Sequence, residues 1–256
     1  METSYLKTKR MLTPLRKFAW IFTLLVGIGG LFYPKLGLLV IPVMLSLTLM
    51  AFFRGRYWCG NFCPHGSLFD ALLPLSKNQK IPEFLKSKIF ITAVFIFFAF
   101  NLSRKLISTF STLGTASFWD RLGFVFVTTY LMVIVAGSVL SSFISSRTWC
   151  SFCPMGVIQT FSYKLGKLLG ITPKTDVKVT LSGSEECLHC GKCARVCPMQ
   201  LEPYLSFSHT NQFMDPACIK CAVCTVNCPA GVLQLAREKE ALEQNQVLNT
   251  KSIQSV

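Results

Sequence analysis

Cys187-x2-Cys190-x2-Cys193-x3-Cys197-Pro198 is followed by Cys218-x2-Cys221-x2-Cys224-x3-Cys228-Pro229, and no other feature constrains the fold as much as this repeated spacing. Three thiolates in a tight turn can hold three irons of a cubane, while the fourth, carried away by three residues and a proline, reaches the neighbouring cluster. The expected ligand sets are therefore crossed. Cys187, Cys190, Cys193 and Cys228 would hold one [4Fe–4S] cluster, and Cys218, Cys221, Cys224 and Cys197 the other. A zinc ribbon is the competing reading, but zinc sites use pairs of cysteines with longer gaps. His189, inside the first run, reads as an exposed filler residue rather than a ligand. Met199–Ala217 joins the runs, either as an insertion for a partner or as an ordinary surface loop.

The rest of the chain is apolar. Of 256 residues, 51% are hydrophobic and only 15% are charged, too few polar side chains to clothe a soluble globule. Four stretches approach the roughly 20 residues a helix needs to cross the hydrocarbon layer: 18–32, 36–53, 89–107 and 122–144. The first two are separated only by Tyr33, Pro34 and Lys35 and should form a tight hairpin. A cleaved signal peptide over residues 1–32 is the alternative, disfavoured because no small-residue cleavage site follows. The formal charge of +14 is lopsided: residues 1–170 hold 18 Lys+Arg against 4 Asp+Glu, whereas residues 171–256 hold 8 of each. The cations thus flank the spans, and no separate basic face is left for nucleic acid.

Lys and Arg also set the expected orientation. Lys7, Lys9, Arg10, Arg16 and Lys17 precede the first span, and Arg54, Arg56, Lys77, Lys80, Lys86 and Lys88 lie between the second and third. The other side has only Lys35, Arg104, Lys105 and Arg121. The N-terminus, the 54–88 loop and everything after Arg147 are then cytoplasmic in a multi-pass cell membrane protein, and all twelve cysteines share that reducing side.

A second repeat lies where the even-numbered spans return. Arg56-Tyr-Trp-Cys59-Gly-Asn-Phe-Cys63-Pro64-His-Gly66 matches Arg147-Thr-Trp-Cys150-Ser-Phe-Cys153-Pro154-Met-Gly156, with one residue fewer in the second copy. Two related halves of two spans each are implied, with Arg and Trp at the headgroup level. With these pairs and the eight-cysteine repeat, nearly the whole chain resembles the NapH/NosR/CcoG-like membrane ferredoxins. The fold expected is four transmembrane helices in two pseudo-repeated hairpins (1–170), a C-terminal α+β two-cluster ferredoxin-like domain (171–235) and a polar tail (236–256). The resemblance implies electron transfer between the quinone pool and a redox protein partner, or a redox role in assembling a metalloenzyme. Cys150-x2-Cys153 departs from the family's Cys-x3-Cys spacing, and no long extracytoplasmic segment for a flavin-bearing domain is present.

Three readings of Cys59, Cys63, Cys150 and Cys153 stay open: a third metal or iron–sulfur site, a pair of redox dithiols sharpened by Arg56 and Arg147, or buried inert thiols. The three histidines, His65, His189 and His209, all fall outside the spans, and no Cys-x-x-Cys-His occurs, so no haem is expected. The spans as bounded above hold no Asp or Glu, which argues against pumping. All redox centres then sit on one face of the bilayer, and a quinone would meet them near the Cys-Pro turns and the amphipathic segments 66–75 and 156–169. His65 and Asp70 are the candidate proton-handling residues there, each weighed against an interfacial structural role. The leading expectation is an electron-transfer subunit of quinol-dehydrogenase type. Its alternative is a maturation factor that reduces a metal or thiol for a partner metalloenzyme.

Overall fold

A computed structural model describes residues 13–182, 187–208 and 210–243; Lys7, Lys9, Arg10, His209 and the tail beyond residue 243 lie outside the described residues. The chain divides into two units. One comprises Thr13–Leu49 and Phe62–Gln159, and the other gathers Met50–Asn61 with the chain from Thr160 onwards. The end of the second span, from Met50, thus falls in the same unit as the chain from Thr160.

The first unit is helical. α1 (Pro14–Phe32) opens on Thr13, whose hydroxyl accepts from the Arg16 amide, with Pro14 in the first turn where its missing N–H costs nothing. Tyr33 alone separates it from α2 (Pro34–Arg54), the last residues of which belong to the second unit. α3 (Tyr57–Asn61) and α4 (Pro64–Ala71) carry the first Cys-Pro turn. α5 (Lys88–Phe110), capped by Ser87, and α6 (Phe118–Phe143) follow, and α7 (Thr148–Phe152) and α8 (Pro154–Leu168) carry the second turn. α1, α2, α5 and α6 are long and apolar enough to cross a membrane.

All four spans exceed the stretches read from hydropathy, and in three of them polar residues near the ends are accommodated. α1 starts at Pro14 rather than Phe18 since Arg16 is buried against Asp70. α5 runs to Phe110, past Lys105, whose ammonium bonds the Thr128 hydroxyl of α6. α6 begins at Phe118 and so takes Asp120 into its first turn, where the helix dipole favours a carboxylate; a span does carry an acid, at its end. Where α2 begins, a Cβ on Gly37 would fall 2.0 Å from the Gly123 carbonyl oxygen, so only glycine permits this backbone contact with α6. Ile96, Phe97 and Phe100 of α5 are each at least 60% exposed, an apolar surface that suits lipid rather than water.

The second unit is α+β. β1 (Lys178–Leu181) pairs antiparallel with β2 (Leu233–Ala236), Lys178 opposite Ala236 and Leu181 opposite Leu233. α9 (Lys192–Arg195) and α10 (Val223–Val226) each follow a cysteine turn. Val179, Leu181, Phe213, Val232 and Leu233 form the core, with Cys187, Cys193, Cys218, Cys224 and Cys228 packed into it. The domain outlasts the expected end at residue 235: Ala236 belongs to the ladder, residues 238–243 are helical, and Ala241 is buried. At its other end, Thr172 and Thr175 donate hydroxyl hydrogen bonds to the carbonyls of Phe52 (2.7 Å) and Phe53 (3.0 Å). These bonds satisfy carbonyls that the end of α2 leaves open, which is why the span's last residues travel with this unit.

Candidate functional site

The two cysteine runs have the same backbone. The second residue after the first cysteine is left-handed in each (His189, φ 45°; Lys220, φ 51°), as is the fourth (Gly191, φ 66°; Ala222, φ 58°). A left-handed residue between right-handed ones curls the chain, so three thiols can point to a common centre. His189 thus has a backbone role, and its exposed side chain stands at the edge of the first run's cavity. Cys187, Cys190, Cys193 and Cys228 line one cavity. Cys218 and Cys224 lie in the electrostatic field of Cys221 and Cys197. Cys224 lies in the field of Cys193 of the first run as well.

The groups differ in depth. Cys190 is exposed, whereas Cys221 and Cys224 are buried. Burial pushes the Cys218 thiol up to about 12 and raises Cys224 and Cys193 as well, so these sulfurs would be anionic only when a metal neutralises them. Such a donor set fits an iron–sulfur cubane. Among the described residues no three His, Cys, Asp or Glu side chains converge on a single-ion site of the zinc type.

The buried group is fastened to the segment that leaves α2. A Cβ on Gly60 would fall 2.1 Å from the Ile219 carbonyl oxygen and 3.0 Å from the Cys221 Cβ, and the Asn61 amide donates to the Lys220 carbonyl at 3.3 Å. Cys59, one residue from Gly60 on α3, is thereby held beside the Cys218–Cys221 turn. Lys220 is itself buried and paired with Asp176, and its ammonium also donates to the Arg54 carbonyl at 2.8 Å. Tyr163 completes the group: its phenol donates to Asp176 at 2.6 Å, and its ring lies 5.0 Å from the Lys220 ammonium. Burial lowers Lys220, against the pull of Asp176, and raises Tyr163.

The Cys-Pro turns repeat in geometry as in sequence. Cys59 and Cys150 are each the third residue of a five-residue helix, and Cys63 and Cys153 each precede a helix that starts at proline, both extended (φ −61°, ψ 118° and φ −57°, ψ 128°). The extra residue of the first copy lies between the helices, where Phe62 has no counterpart. The Cys63 sulfur caps α4, accepting from the Gly66 amide at 3.4 Å.

Asp70 is not free for proton chemistry. Its Oδ2 accepts from Arg16 Nη2 (2.7 Å) and Arg147 Nη2 (2.6 Å), and its Oδ1 from Arg147 Nε (2.9 Å). Burial alone would raise its pKa, but Arg147 and Arg16 outweigh it and hold the carboxyl down at about 2. Sequence alone missed this clamp because its members are 54 and 77 residues apart. Arg147 also places Nη1 3.7 Å from the Cys150 sulfur. His65 packs on Tyr130, ring centroids 4.0 Å apart, with its Nε2 buried and without a hydrogen-bond partner; burial lowers its pKa to about 4, so the ring is neutral.

Comparison with known proteins agrees with this arrangement. A model of a 4Fe-4S binding domain matches residues 36–82 and 127–172, each stretch containing one Cys-Pro turn, and a model of a 4Fe-4S dicluster domain matches residues 180–229, which hold all eight repeated cysteines. Uncharacterized protein MJ0750 of Methanocaldococcus jannaschii is 26% identical over 208 residues, 77% of either chain. Uncharacterized protein MJ0749 of the same organism is 24% identical over 209 residues, 77% of this chain and 70% of that one. "Putative electron transport protein YccM" of Escherichia coli is 24% identical over 221 residues, 80% of this chain and 56% of that protein. No solved structure matches. The two domain models together take in all twelve cysteines, so this chain carries 4Fe–4S domains of the ferredoxin type.

Proposed function

We propose that this chain is a membrane-anchored electron-transfer protein of the NapH/NosR/CcoG type, exchanging single electrons between quinone and a redox protein at the cytoplasmic face. The observation that carries this reading is the unequal depth of two cysteine groups on one small domain. Cys190 brings the group of Cys187, Cys193 and Cys228 to the surface, where a protein partner can approach. In the group of Cys197, Cys218, Cys221 and Cys224, Cys221 and Cys224 are buried, and Gly60 of the segment that emerges from α2 abuts Ile219 and Cys221. A bound [4Fe–4S] cubane supplies a one-electron couple. The chain's part is to hold eight thiolates, with one set deeper than the other. The printed name of the Escherichia coli relative supports the electron-transfer reading, and the Lys and Arg that flank α1 and α2 support the orientation.

The paired cysteines Cys59, Cys63, Cys150 and Cys153 are proposed as ligands of a further iron–sulfur site, in keeping with the 4Fe-4S model matched around both turns. A second reading, a maturation factor that reduces a thiol or metal for another protein, draws on the Arg147 guanidinium beside the Cys150 sulfur, which favours a thiolate. One set of measurements on anaerobically purified protein decides. Two clusters give about eight irons and eight labile sulfides per chain, and a third gives about twelve. Rapid oxidation of the dithionite-reduced protein by a short-chain quinone supports quinone exchange. Copper binding that disappears in a Cys59→Ser/Cys63→Ser variant, without quinone reactivity, supports maturation, and zinc in place of iron overturns both.

A further inference from the structure

The quinone exchange proposed above leaves open where the ring binds, and neither residue singled out from sequence answers it. Asp70 is locked between two arginines, and the His65 ring is stacked on Tyr130. A cleft in the C-terminal unit has what a quinone needs. We propose that the quinone headgroup docks in this cleft, bounded by Arg56, Thr160 and Tyr163 on one side and by Phe213, Met214 and Cys218 on the other.

Four observations converge there. Cys218 belongs to the buried thiol group, so a ring in the cleft lies against a sulfur of that cluster's ligand set, and electron tunnelling between the two needs no intermediate carrier. Val179, Phe213, Met214 and Pro216 give an apolar wall for a flat ring, while Arg56, Lys167 and Lys178 outnumber Asp215 in the lining, a net positive charge that suits carbonyl oxygens growing more negative as electrons arrive. The polar wall is rigid. Tyr163 and Lys220 are both tied to Asp176, which leaves the phenol oxygen's lone pairs aimed away from that bond as acceptors for a quinol hydroxyl.

The level in the membrane is right as well. Gly55 and Arg56 are the first residues after α2, and on α8 Phe161 and Leu168, two turns apart, are 68% and 83% exposed, an apolar stripe on which a prenyl tail can lie in the headgroup layer. The repeat supplies the fourth observation. Seven residues beyond its Cys-Pro cysteine the first half has Asp70, which engages Arg147; the second half has Thr160 at that place, lining the cleft with Arg56. The neutral hydroxyl carries no charge to engage an arginine as the carboxylate does in the other half. Each quinone takes up two electrons, one from each reduced cluster, and two protons from water at the open side of the cleft; quinol oxidation runs the same balance in reverse.

The experiment uses the full-length protein in nanodiscs and a photoreactive azidoquinone, with labelled peptides mapped by mass spectrometry. Label is expected on peptides covering 160–167 and 213–220. Met214→Trp, which fills the cleft, should abolish that label and slow quinone oxidation of the reduced protein at least tenfold at unchanged iron content. Should Met214→Trp lose iron, Thr160→Asp takes its place with the same expectation. Label confined to residues 62–75, or labelling of these variants at the wild-type level, overturns the site while quinone exchange stands. Wild-type protein that is neither labelled nor oxidised by quinone overturns quinone exchange and the site together.

Discussion

The two Cys-Pro turns come from one motif and have been put to different uses. In the second, Arg147 is 1% exposed and makes a forked pair with Asp70, which Arg16 completes from the start of α1. In the first, the residues around Arg56 turn toward the ferredoxin-type domain, where Gly60 abuts Ile219 and Arg54 offers its carbonyl to Lys220. One arginine is thus a structural cation, neutralised by a carboxylate. The other, also buried, lines a cleft. A repeated Arg-x-Trp-Cys motif goes with repeated backbone and cysteine geometry, while the residue seven positions past the last cysteine differs, Asp70 in one half and Thr160 in the other.

The largest test of this contrast is Asp70→Ala. Two buried guanidinium groups would lose their counter-charge, and removing one partner of a buried pair typically costs about 3–5 kcal/mol, read as a lower unfolding midpoint in detergent. Thr160→Ala, its counterpart, removes no counter-charge, and loss of a neutral hydroxyl's hydrogen bond should cost only about 0.5–1.5 kcal/mol. Acid gives the next effect. The folded carboxyl sits at about 2 against an ordinary value of 3.8, so Asp70 stabilises above its unfolded pKa, and that stability is lost as pH falls from about 4 through 2. A shift of this size corresponds to roughly 2–3 kcal/mol, and Asp70→Asn should flatten that part of the stability profile.

Gly60→Val attacks the other turn. Its branched side chain has no room against the Ile219 carbonyl, so a cost of about 1–3 kcal/mol is expected, with iron lost from the Cys218–Cys224 turn before the Cys187–Cys193 turn, followed by electron paramagnetic resonance. Equal loss from both turns would undo the claim that α3 braces one of them. The smallest effect belongs to Lys80→Ala. The Lys80–Glu83 pair is 3.5 Å apart with side chains 81% and 86% exposed, and its removal should not move the unfolding midpoint measurably, in contrast to the buried Asp70 pair.

Much of the molecule was written in local spacing. The crossed thiol sets were read from cysteine offsets, because a turn of fixed length can present only so many sulfurs to one centre, and Cys187, Cys190, Cys193 and Cys228 line one cavity. The four apolar helices followed from hydropathy, and their true ends did not. Pro14, Phe110 and Phe118 lie beyond the apolar runs because Arg16, Lys105 and Asp120 find partners or a favourable helix end that no window average can register. The end of α2 falls with the chain from Thr160 for the same reason, since the hydrogen bonds of Thr172 and Thr175 to Phe52 and Phe53 join residues about 120 positions apart.

Sequence by itself determined which side chains this protein has for holding iron and for lying in lipid, since both depend on spacing along a few turns of chain. Only the tertiary structure decided what the charged residues do. A carboxylate's chemistry is set by what surrounds it in space, and the two arginines that hold Asp70 ionised lie 54 and 77 residues away in the chain, beyond the reach of any local pattern.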